Sequence, residues 1–559
     1  MLTRMPLYRK DWFWETACLA IFIIISLAYT CGRIGLHSDN FLLSSSDAAN
    51  IPSFSAALDH PELFTNDALL KDPANFAFYN TLHVPLICAL AKWFGNYSTP
   101  FAFLIFPLTF LYLLGYYWLG REVIKNRFLA LIFSLIVLIP VQLNLSEIWG
   151  LWRDMIPRFL FEALLPFGLA ALMRWGKNPK WWPWLMASLG LLVYAHPVSL
   201  PAWGLAALLS LWFLSPDMLV RSKLSHLLLA GFVFLIVIMP FTYNYLSTTT
   251  SGSRGSLPYE ELIEILRKRF ISGFLDLNIA FKDFIRLVVI SDGLMVFLWT
   301  FVCLGTLSFL LNKKKKSDST LLIITTWWIS IFLVSVVLPV LDHALANRQQ
   351  RLSYEFDLVR NLRFSIPLLM LSFLYLLNQF QHEFEPRLHL ENQKASSFIS
   401  ATLSILLLFG WIERNDFAQD PAFVQTARCW SSGQLVCPFP QEETILQQIG
   451  MLEGVRNLTS PGSHILAAAV TSELMMRYYS LRTLIYSYKD GGPFIYSNLN
   501  NLRIWWQQFL ETSRVQALDS RESYLDGWVD FAQKYHADYL VLEEEYDPQK
   551  YYPVCLNVV

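Results

Sequence analysis

"LLLAGFVFLIVIMPFTYNYL" (residues 227–246) contains no charged residue over twenty positions. A helix of this length rises about 30 Å, which is the thickness of the hydrocarbon core of a bilayer. The stretch therefore predicts a membrane-spanning helix. A second apolar run, at residues 12–32, follows basic residues at the N-terminus. Because that run is long and lacks a clear small-residue cleavage site, we interpret it as an uncleaved first span rather than a signal peptide.

The whole chain has the composition of a membrane protein. Its 559 residues are 54% hydrophobic and 16% charged, with a mean hydropathy of +0.39. Soluble domains carry more charge. The net charge is −1 and no strongly basic face is present, so nothing indicates nucleic-acid binding. About eleven spans are predicted, at 12–32, 99–119, 127–143, 158–174, 181–196, 198–214, 227–246, 290–311, 319–341, 364–379 and 397–412.

Basic residues are concentrated in alternate loops. They occur around Arg4, Arg9 and Lys10, and in "REVIKNR" (121–127), "RWGKNPK" (174–180), "RSK" (221–223) and "KKKK" (313–316). Short basic loops favour the cytoplasmic side. We therefore expect a multi-pass plasma (inner) membrane protein with a cytoplasmic N-terminus and an extracytoplasmic C-terminal region.

The predicted organisation has two parts. Residues 1–412 form a transmembrane domain with external loops at 33–98 and 247–289. Two segments fit helices that lie along the membrane surface, "TLHVPLICALAKWFG" (81–95) and the segment carrying Leu262, Ile265, Leu266 and Phe270. Residues 413–559 form a small extracytoplasmic α/β domain, because strands such as "HILAAAV" and "ADYLVLEEE" alternate there with helical patterns.

The seven cysteines do not form a zinc-binding pattern. Cys429 and Cys437 both fall in the predicted external region, where the compartment is oxidising. The sequence leaves open whether they form a disulfide with each other or stay unbridged. No phosphate-binding glycine motif is present, because "KDGGP" (489–493) predicts a turn.

Acidic and basic residues are gathered at the predicted outer ends of the spans. The external loop "SSSDAANIPSFSAALDHPELFTNDALLKD" (44–72) contains five carboxylates and one lysine. A carboxylate at the edge of an apolar slab can act as a general base, and arginines can hold a phosphate through two parallel hydrogen bonds. The candidates on this face are Asp47, Asp67, Glu147, Arg153, Asp154, Arg158, His196 and Arg363.

Each candidate also has a structural interpretation. Asp47 and Asp67 fit helix caps. Asp154 and Arg158 are four residues apart and could form a surface ion pair on a helix. His196 could be hydrogen-bonded in a tight corner, and Arg363 could extend its charge to the membrane surface. Their shared placement on one face favours a common site.

Five stretches resemble the GT-C superfamily of integral-membrane glycosyltransferases, in particular bacterial, often cyanobacterial, proteins grouped with that fold. They are "SDAANIPSFSAALDHPELFTND" (46–67), "LWRDMIPRF" (151–159), "LLVYAHPVS" (191–199), "DLVRNLRFSIP" (357–367) and "RTLIYSYKDGGPF" (482–494). The layout of external loop, spans and C-terminal α/β domain is also similar. The resemblance covers nearly the entire chain.

This resemblance implies an inverting transfer of a sugar from a polyprenyl-phosphate donor to an acceptor on the extracytoplasmic side. The catalytic role maps to Asp47, with Asp67 second. Glu147, Arg153, Asp154, Arg158, His196 and Arg363 are then the substrate-binding candidates. The chain departs from the family pattern because Asp47 is followed by Ala48 rather than by a second acid.

The sequence also bears on cofactors, partners and alternative functions. No cofactor is expected, although Asp47, Asp67 and Glu147 could supply oxygens to a divalent metal. The expected partners are the lipid-linked sugar donor and membrane lipid. One alternative is a non-catalytic scaffold of the same fold for envelope assembly. Another is a transporter, which the nearly uncharged span centres disfavour.

Overall fold

Helices dominate the chain, as its hydropathy predicts. The structure is a computed structural model that describes residues 7–37, 46–143, 146–151, 155–250, 256–269, 281–282, 285, 305, 319–351, 353, 358–384, 402, 405–406, 408–412, 420–437, 443–468 and 473–542. Two compact units divide the chain. The first comprises Met1–Gly32, Leu104–Phe241 and Leu266–Val436, and the second comprises Arg33–Phe103, Thr242–Ile265 and Cys437–Val559.

The helices and strands follow one another in a simple order. The first half contains α1 (Leu7–His37), α2 (Ser46–Asp59), α3 (His83–Phe94), α4 (Thr99–Ile124), α5 (Arg127–Leu138), β1 (Val141–Leu143), β2 (Ser146–Trp149), α6 (Pro157–Trp175), α7 (Trp182–Gly190), α8 (Leu200–Leu214), α9 (Val220–Thr250) and α10 (Tyr259–Arg269). The second half contains α11 (Ser319–Phe332), α12 (Leu338–Gln349), α13 (Ser365–Phe384), α14 (Pro421–Ser431), α15 (Glu443–Leu458), β3 (His464–Ala468), α16 (Met475–Tyr478), β4 (Thr483–Leu484), α17 (Gly491–Ser497), α18 (Leu499–Gln516), α19 (Arg521–Lys534) and β5 (Tyr539–Leu542).

Within the described part of the chain, five helical segments are long and apolar enough to cross a membrane. They are Trp12–Gly35, Thr99–Ile124, Val220–Ser247, Ser319–Gln349 and Leu358–Gln381. A bent pair, Pro73–Tyr79 with His83–Phe94, adds a sixth if it is counted as one span. Each of the five coincides with a predicted span. The Val220–Ser247 segment leaves only 6% of its most apolar window buried inside the protein, as expected for a helix that faces lipid.

The predicted count of eleven spans was too high for the described residues. The segment at 127–143 forms only α5, whose twelve residues rise about 18 Å. The segments at 181–196 and 198–214 form α7 and α8, of 9 and 15 residues. The segment at 158–174 forms a 19-residue helix that contains three ionisable side chains. An apolar run predicts burial, but burial against protein and burial in lipid give the same pattern. The segments at 290–311 and 397–412 lie largely outside the described residues.

A β-hairpin occupies the end of the predicted span at 127–143. Strands β1 and β2 pair antiparallel, with Val141 opposite Trp149. Gly150 follows β2 with φ +98°, and a Cβ atom there would lie 2.5 Å from the carbonyl oxygen of Ile139. Glycine is therefore required at this position both by the backbone conformation and by the close approach of the neighbouring chain.

Gly150→Ala is expected to destabilise the protein. The left-handed backbone conformation costs a side chain about 1–2 kcal/mol. The clash with Ile139 adds about 1–3 kcal/mol through forced backbone shifts. Gly433→Ala is the matched control, because Gly433 has φ +77° but open space around its Cβ position. Thermal unfolding of the purified protein should show a larger loss for Gly150→Ala, and equal losses would contradict the role of the close approach.

The second unit contains the predicted α/β fold. Strands β3, β4 and β5 form a parallel three-stranded sheet in the order β4-β3-β5. Helices α15, α18 and α19 lie close to the predicted positions. Apolar side chains of the central strand, including Leu466 and Ala468, pack against Trp528 and Phe531 of α19. The alternation of strands and helices predicted in the C-terminal sequence is thus confirmed.

Part of the predicted first external loop belongs to the same unit as this sheet. Phe54 of α2 stacks on Phe76, with ring centroids 4.7 Å apart. Phe78, in the turn that leads to α3, contacts the ring of Tyr496 in α17. Residues separated by more than 400 positions in the sequence therefore share one core. The predicted division into a transmembrane domain (1–412) and an extracytoplasmic domain (413–559) stays a prediction.

The two segments expected at the membrane surface are helical. The first is α3, and the second is α10, in which Leu262, Ile265 and Leu266 are buried within the protein. Phe270 lies outside the described residues. Cys429 and Cys437 are both disulfide-bonded.

Candidate functional site

Three arginines and one histidine converge in the first unit. Arg158 is the second residue of α6, His196 lies in the corner between α7 and α8, and Arg360 and Arg363 lie in the 3₁₀ turn Leu358–Phe364 that precedes α13. We call these four residues the arginine–histidine cluster. They come from three separate segments, and Arg158, His196 and Arg363 are the three of them that the sequence predicts to share one site.

The corner that carries His196 is held by local hydrogen bonds. The backbone amide of His196 donates to the carbonyl of Leu192, and its Nδ1 lies 2.8 Å from the hydroxyl of Ser199. The imidazole ring also makes an edge-to-face contact with Phe161 of α6, with centroids 6.3 Å apart. These contacts fix the ring close to the start of α6. The predicted hydrogen-bonded corner histidine is confirmed, and it lies beside guanidinium groups.

The 3₁₀ turn is tied to the same corner. The side-chain amide of Asn361 donates to the carbonyl of Val198 over 2.8 Å. Arg363 donates from Nε to the carbonyl of Arg360 over 2.6 Å. Arg363 is buried, with 7% of its surface exposed, whereas Arg360 is exposed. A buried arginine beside an exposed one gives a positive region that is reachable from outside at one end.

Aromatic rings pack beneath the turn. Phe364 makes edge-to-face or tilted contacts with Trp149, Phe161 and Trp203, at centroid distances between 5.4 and 5.9 Å. Trp149 belongs to β2, and this strand contacts the 3₁₀ turn. The apolar packing on one side positions the turn that carries Arg360 and Arg363.

The positive charge of the cluster favours the binding of an anion. Burial lowers the pKa of His196 well below its ordinary value of about 6.5, and the positive charges of Arg158, Arg363 and Arg360 lower it further. His196 is therefore a neutral imidazole at pH 7, and the arginines carry the positive charge. Guanidinium groups are suited to phosphate because of their planar, two-pronged donor geometry.

The protonation state of His196 tests whether the arginines make this cluster electrostatically positive. We expect the ¹⁵N signals of His196 to show a neutral ring at pH 6 in the free protein. Adding pyrophosphate should raise its pKa, because a bound anion offsets the three guanidinium charges. The signal is assigned by its loss in His196→Gln. An imidazole that titrates near 6.5 without ligand would contradict the positive cluster.

A buried carboxylate near the cluster was not among the predicted site residues. Glu162 is one helical turn after Arg158 in α6 and has no exposed surface. In the sequence it lies inside the apolar run "FLFEALL", where a single acid breaks the pattern. An ionisable residue inside a membrane segment is a functional candidate by default, and that rule could have found it. Arg360, which the sequence places on the same outer face as the other arginines, lies three residues before Arg363 in the same turn.

Asp67 occupies a different environment, in the second unit. Its Oδ1 accepts hydrogen bonds from the amides of Leu69 and Leu70, so the predicted capping interpretation is confirmed. Both of its oxygens also accept from Arg477, over 2.8 and 2.9 Å, and Oδ2 accepts from the amide of Leu484. With its oxygens occupied in this way, the carboxylate is suited to holding the fold rather than to receiving a proton.

Arg477 completes a buried group of three ionised side chains. It donates to Asp490 over 2.6 and 2.7 Å as well as to Asp67. Arg477 and Asp67 have no exposed surface, and Asp490 has 4%. Burial raises the pKa of Asp490 to about 6, with smaller contributions from Asp67 and Glu473, although Arg477 opposes the rise. We call Asp67, Arg477 and Asp490 the buried ion triad.

Four predicted site residues fall wholly or partly outside the described part of the chain. Arg153 and Asp154 lie outside it entirely. The backbone of Asp47 belongs to α2 and that of Glu147 to β2, but their side chains lie outside the described part. Their roles stay predictions, including the predicted pairing of Asp154 with Arg158.

The described side chains include no group of three His, Cys, Asp or Glu residues that could hold a metal ion. Of the three oxygen ligands suggested by the sequence, only the side chain of Asp67 is described, and Arg477 and backbone amides surround it. Metal binding by the other two stays a prediction.

Comparisons with known proteins assign no function to this site, so its chemistry is inferred from its geometry. The chain matches no protein-family model and no curated protein.

Proposed function

We propose that the protein is a membrane transferase of the GT-C type that moves a sugar from a polyprenyl-phosphate donor to an acceptor on the extracytoplasmic side. The observation that supports this most is the convergence of Arg158, Arg360 and Arg363 around a neutral His196. A lipid-linked phosphate needs positive charge beside apolar helices, and the unit that holds the cluster also contributes to all five membrane-length helices.

In the proposed reaction, the acceptor hydroxyl attacks the anomeric carbon of the donor sugar. The bond between the anomeric carbon and the phosphate oxygen breaks, and the phosphate leaves with the electron pair. The arginines stabilise the charge that develops on this leaving group. A carboxylate takes the proton of the acceptor hydroxyl. Asp47 is the base suggested by the sequence, and Glu162 is the described carboxylate closest in sequence to the cluster.

Transfer can be measured with the purified protein in lipid nanodiscs. Polyprenyl-phosphate sugars that carry hexoses or pentoses are incubated with acceptor glycans, and release of the lipid phosphate is followed by mass spectrometry. We expect release that is lost in Asp47→Asn or in Glu162→Gln while the protein stays folded. Binding of polyprenyl phosphate without any release would favour the non-catalytic scaffold. Absence of both binding and release would refute the transferase.

A further inference from the structure

The second unit contains an open cleft of about 720 Å³. Its walls include Asp59 at the end of α2, Lys92 in α3, Tyr97, Glu453 and Arg456 in α15, and Tyr478 in α16. We call it the tyrosine cleft. Its volume falls in the range of about 300–1,000 Å³ that is typical of small-molecule sites. It shares no residue with the arginine–histidine cluster or the buried ion triad.

One wall of the cleft contains a tyrosine whose buried hydroxyl makes no hydrogen bond within the described residues. Tyr478 is 3% exposed, and its hydroxyl has no hydrogen-bond partner among the residues that the structure describes. A buried polar group left in this state costs about 1–3 kcal/mol. Burial also raises the pKa of Tyr478, so the hydroxyl keeps its proton and can donate. The hydroxyl is covered in this structure, so a ligand oxygen would satisfy it once the side chain turns toward the cleft that Tyr478 lines.

A second tyrosine shows how the carboxylate in the cleft is oriented. The hydroxyl of Tyr97 donates to Oδ2 of Asp59 over 3.2 Å. Tyr97 is 8% exposed, whereas Asp59 is half-buried at the cleft surface. This hydrogen bond holds the carboxylate in place and leaves Oδ1 as an acceptor for a ligand in the cleft.

The wall next to Tyr478 is held rigidly. Leu481 has φ +53°, a left-handed conformation that is strained for a leucine. The buried guanidinium of Arg482 donates to the carbonyls of Arg456 and Thr459, both over 2.7 Å, and to the carbonyl of Leu481 over 3.0 Å. Strained backbone that its surroundings hold in place is found preferentially at ligand sites. The cleft therefore has a preformed wall.

The charges in the cleft select a class of ligand. Asp59 and Glu453 are acceptors, Lys92 and Arg456 are donors, and the two pairs balance. A strongly anionic ligand would meet two carboxylates, and a strongly cationic one would meet two basic groups. A hydroxyl both donates and accepts, so several hydroxyls on one ligand can use both pairs. Tyrosine rings supply rigid, amphipathic surface for the apolar faces of such a ligand.

We propose that the tyrosine cleft binds a saccharide without net charge, with the hydroxyl of Tyr478 and the carboxylate of Asp59 as its main contacts. This site lies wholly within the second unit and does not depend on the transferase proposed above. Lys92, Glu453 and Arg456, which also line the cleft, supply further polar contacts.

Saccharide binding is tested with the full chain in nanodiscs. Maltotriose, cellotriose and triacetylchitotriose are the probes, with saturation-transfer NMR to detect binding and calorimetry to measure it. We expect at least one trisaccharide to bind. Tyr478→Phe should weaken it about fivefold, the value of one neutral hydrogen bond. Asp59→Asn should weaken it about tenfold or more, because a hydrogen bond to a charged group is stronger.

Two controls separate binding from folding. Tyr524→Phe removes a tyrosine hydroxyl from α19 in the same unit, outside the cleft walls, and should leave affinity unchanged. Tyr478→Phe should unfold at the same temperature as the wild type or above it, because it removes a buried polar group that lacks a partner. The proposal is overturned if no trisaccharide binds, or if binding survives both cleft variants unchanged. Preferential binding of inorganic phosphate or a lysine-rich peptide at this cleft would also overturn it.

Discussion

Arg477→Met is expected to cause the largest loss of stability of any single substitution in the second unit. The change leaves Asp67 and Asp490 buried without the guanidinium that pairs with both. Removing one partner of a buried ion pair typically costs about 3–5 kcal/mol. The pKa of Asp490, already raised to about 6, should rise further once the arginine is absent. Thermal unfolding of the purified protein should show a large fall in midpoint.

An exposed ion pair in the same unit provides the control. Arg503 donates to Glu261 over 2.9 and 3.0 Å, but their side chains are 43% and 31% exposed. Arg503→Met should therefore change the midpoint little, because water screens the pair. Combining Arg477→Met with Asp67→Asn and Asp490→Asn should recover part of the loss, since no unpaired charge is then buried. An Arg477→Met protein as stable as the wild type would refute the structural role of the buried ion triad.

Arg363→Ala is expected to weaken binding of polyprenyl phosphate by about 10- to 100-fold. This is the effect of losing one hydrogen bond to a charged group, about 1.5–3 kcal/mol. Arg363 is the buried arginine of the cluster, so its charge is screened by water less than that of the exposed Arg360. Binding is measured by the fluorescence of a labelled polyprenyl phosphate in nanodiscs that contain the protein.

Two further variants make this result specific. Arg174→Ala removes an arginine at the other end of α6, with a side chain that is 55% exposed, and should leave lipid-phosphate binding unchanged. Arg363→Lys keeps the charge but loses the planar guanidinium, so its affinity should lie between those of the wild type and Arg363→Ala. Equal affinity in Arg363→Ala and the wild type would remove the cluster as the phosphate site.

Local patterns in the sequence were sufficient to predict the long helices and the strands of the C-terminal part, and five helices of membrane-spanning length. The run at 227–246 predicted a membrane-spanning helix, and a long apolar helix lies there. "HILAAAV" predicted a buried strand, which is the central strand of the sheet. These features depend on residues that are close in sequence, where hydrophobic periodicity is the main determinant. The overestimate of spans arose because α5 and α8 are as apolar as a span but too short to be one.

The candidate site was predictable only in part. His196 and Arg363 were expected together, because His196 ends one predicted apolar segment and Arg363 precedes another on the same predicted face. Glu162 was missed because one acid in an apolar run gives no periodic pattern. Asp67 was identified as a functional residue or a cap, yet its main partner, Arg477, is 410 positions away. No pattern in a single sequence relates residues so far apart.

The sequence by itself determined that the chain is helical and apolar enough for a membrane, and that its C-terminal part alternates strands with helices. Hydrophobic length and period decide these properties locally. Only the tertiary structure decided that Asp67 lies in an ion triad, that three arginines lie close enough to His196 to lower its pKa, and that Tyr478, whose hydroxyl is buried, lines a cleft. Burial and charge pairing depend on which distant segments pack together, and that is a property of the folded chain.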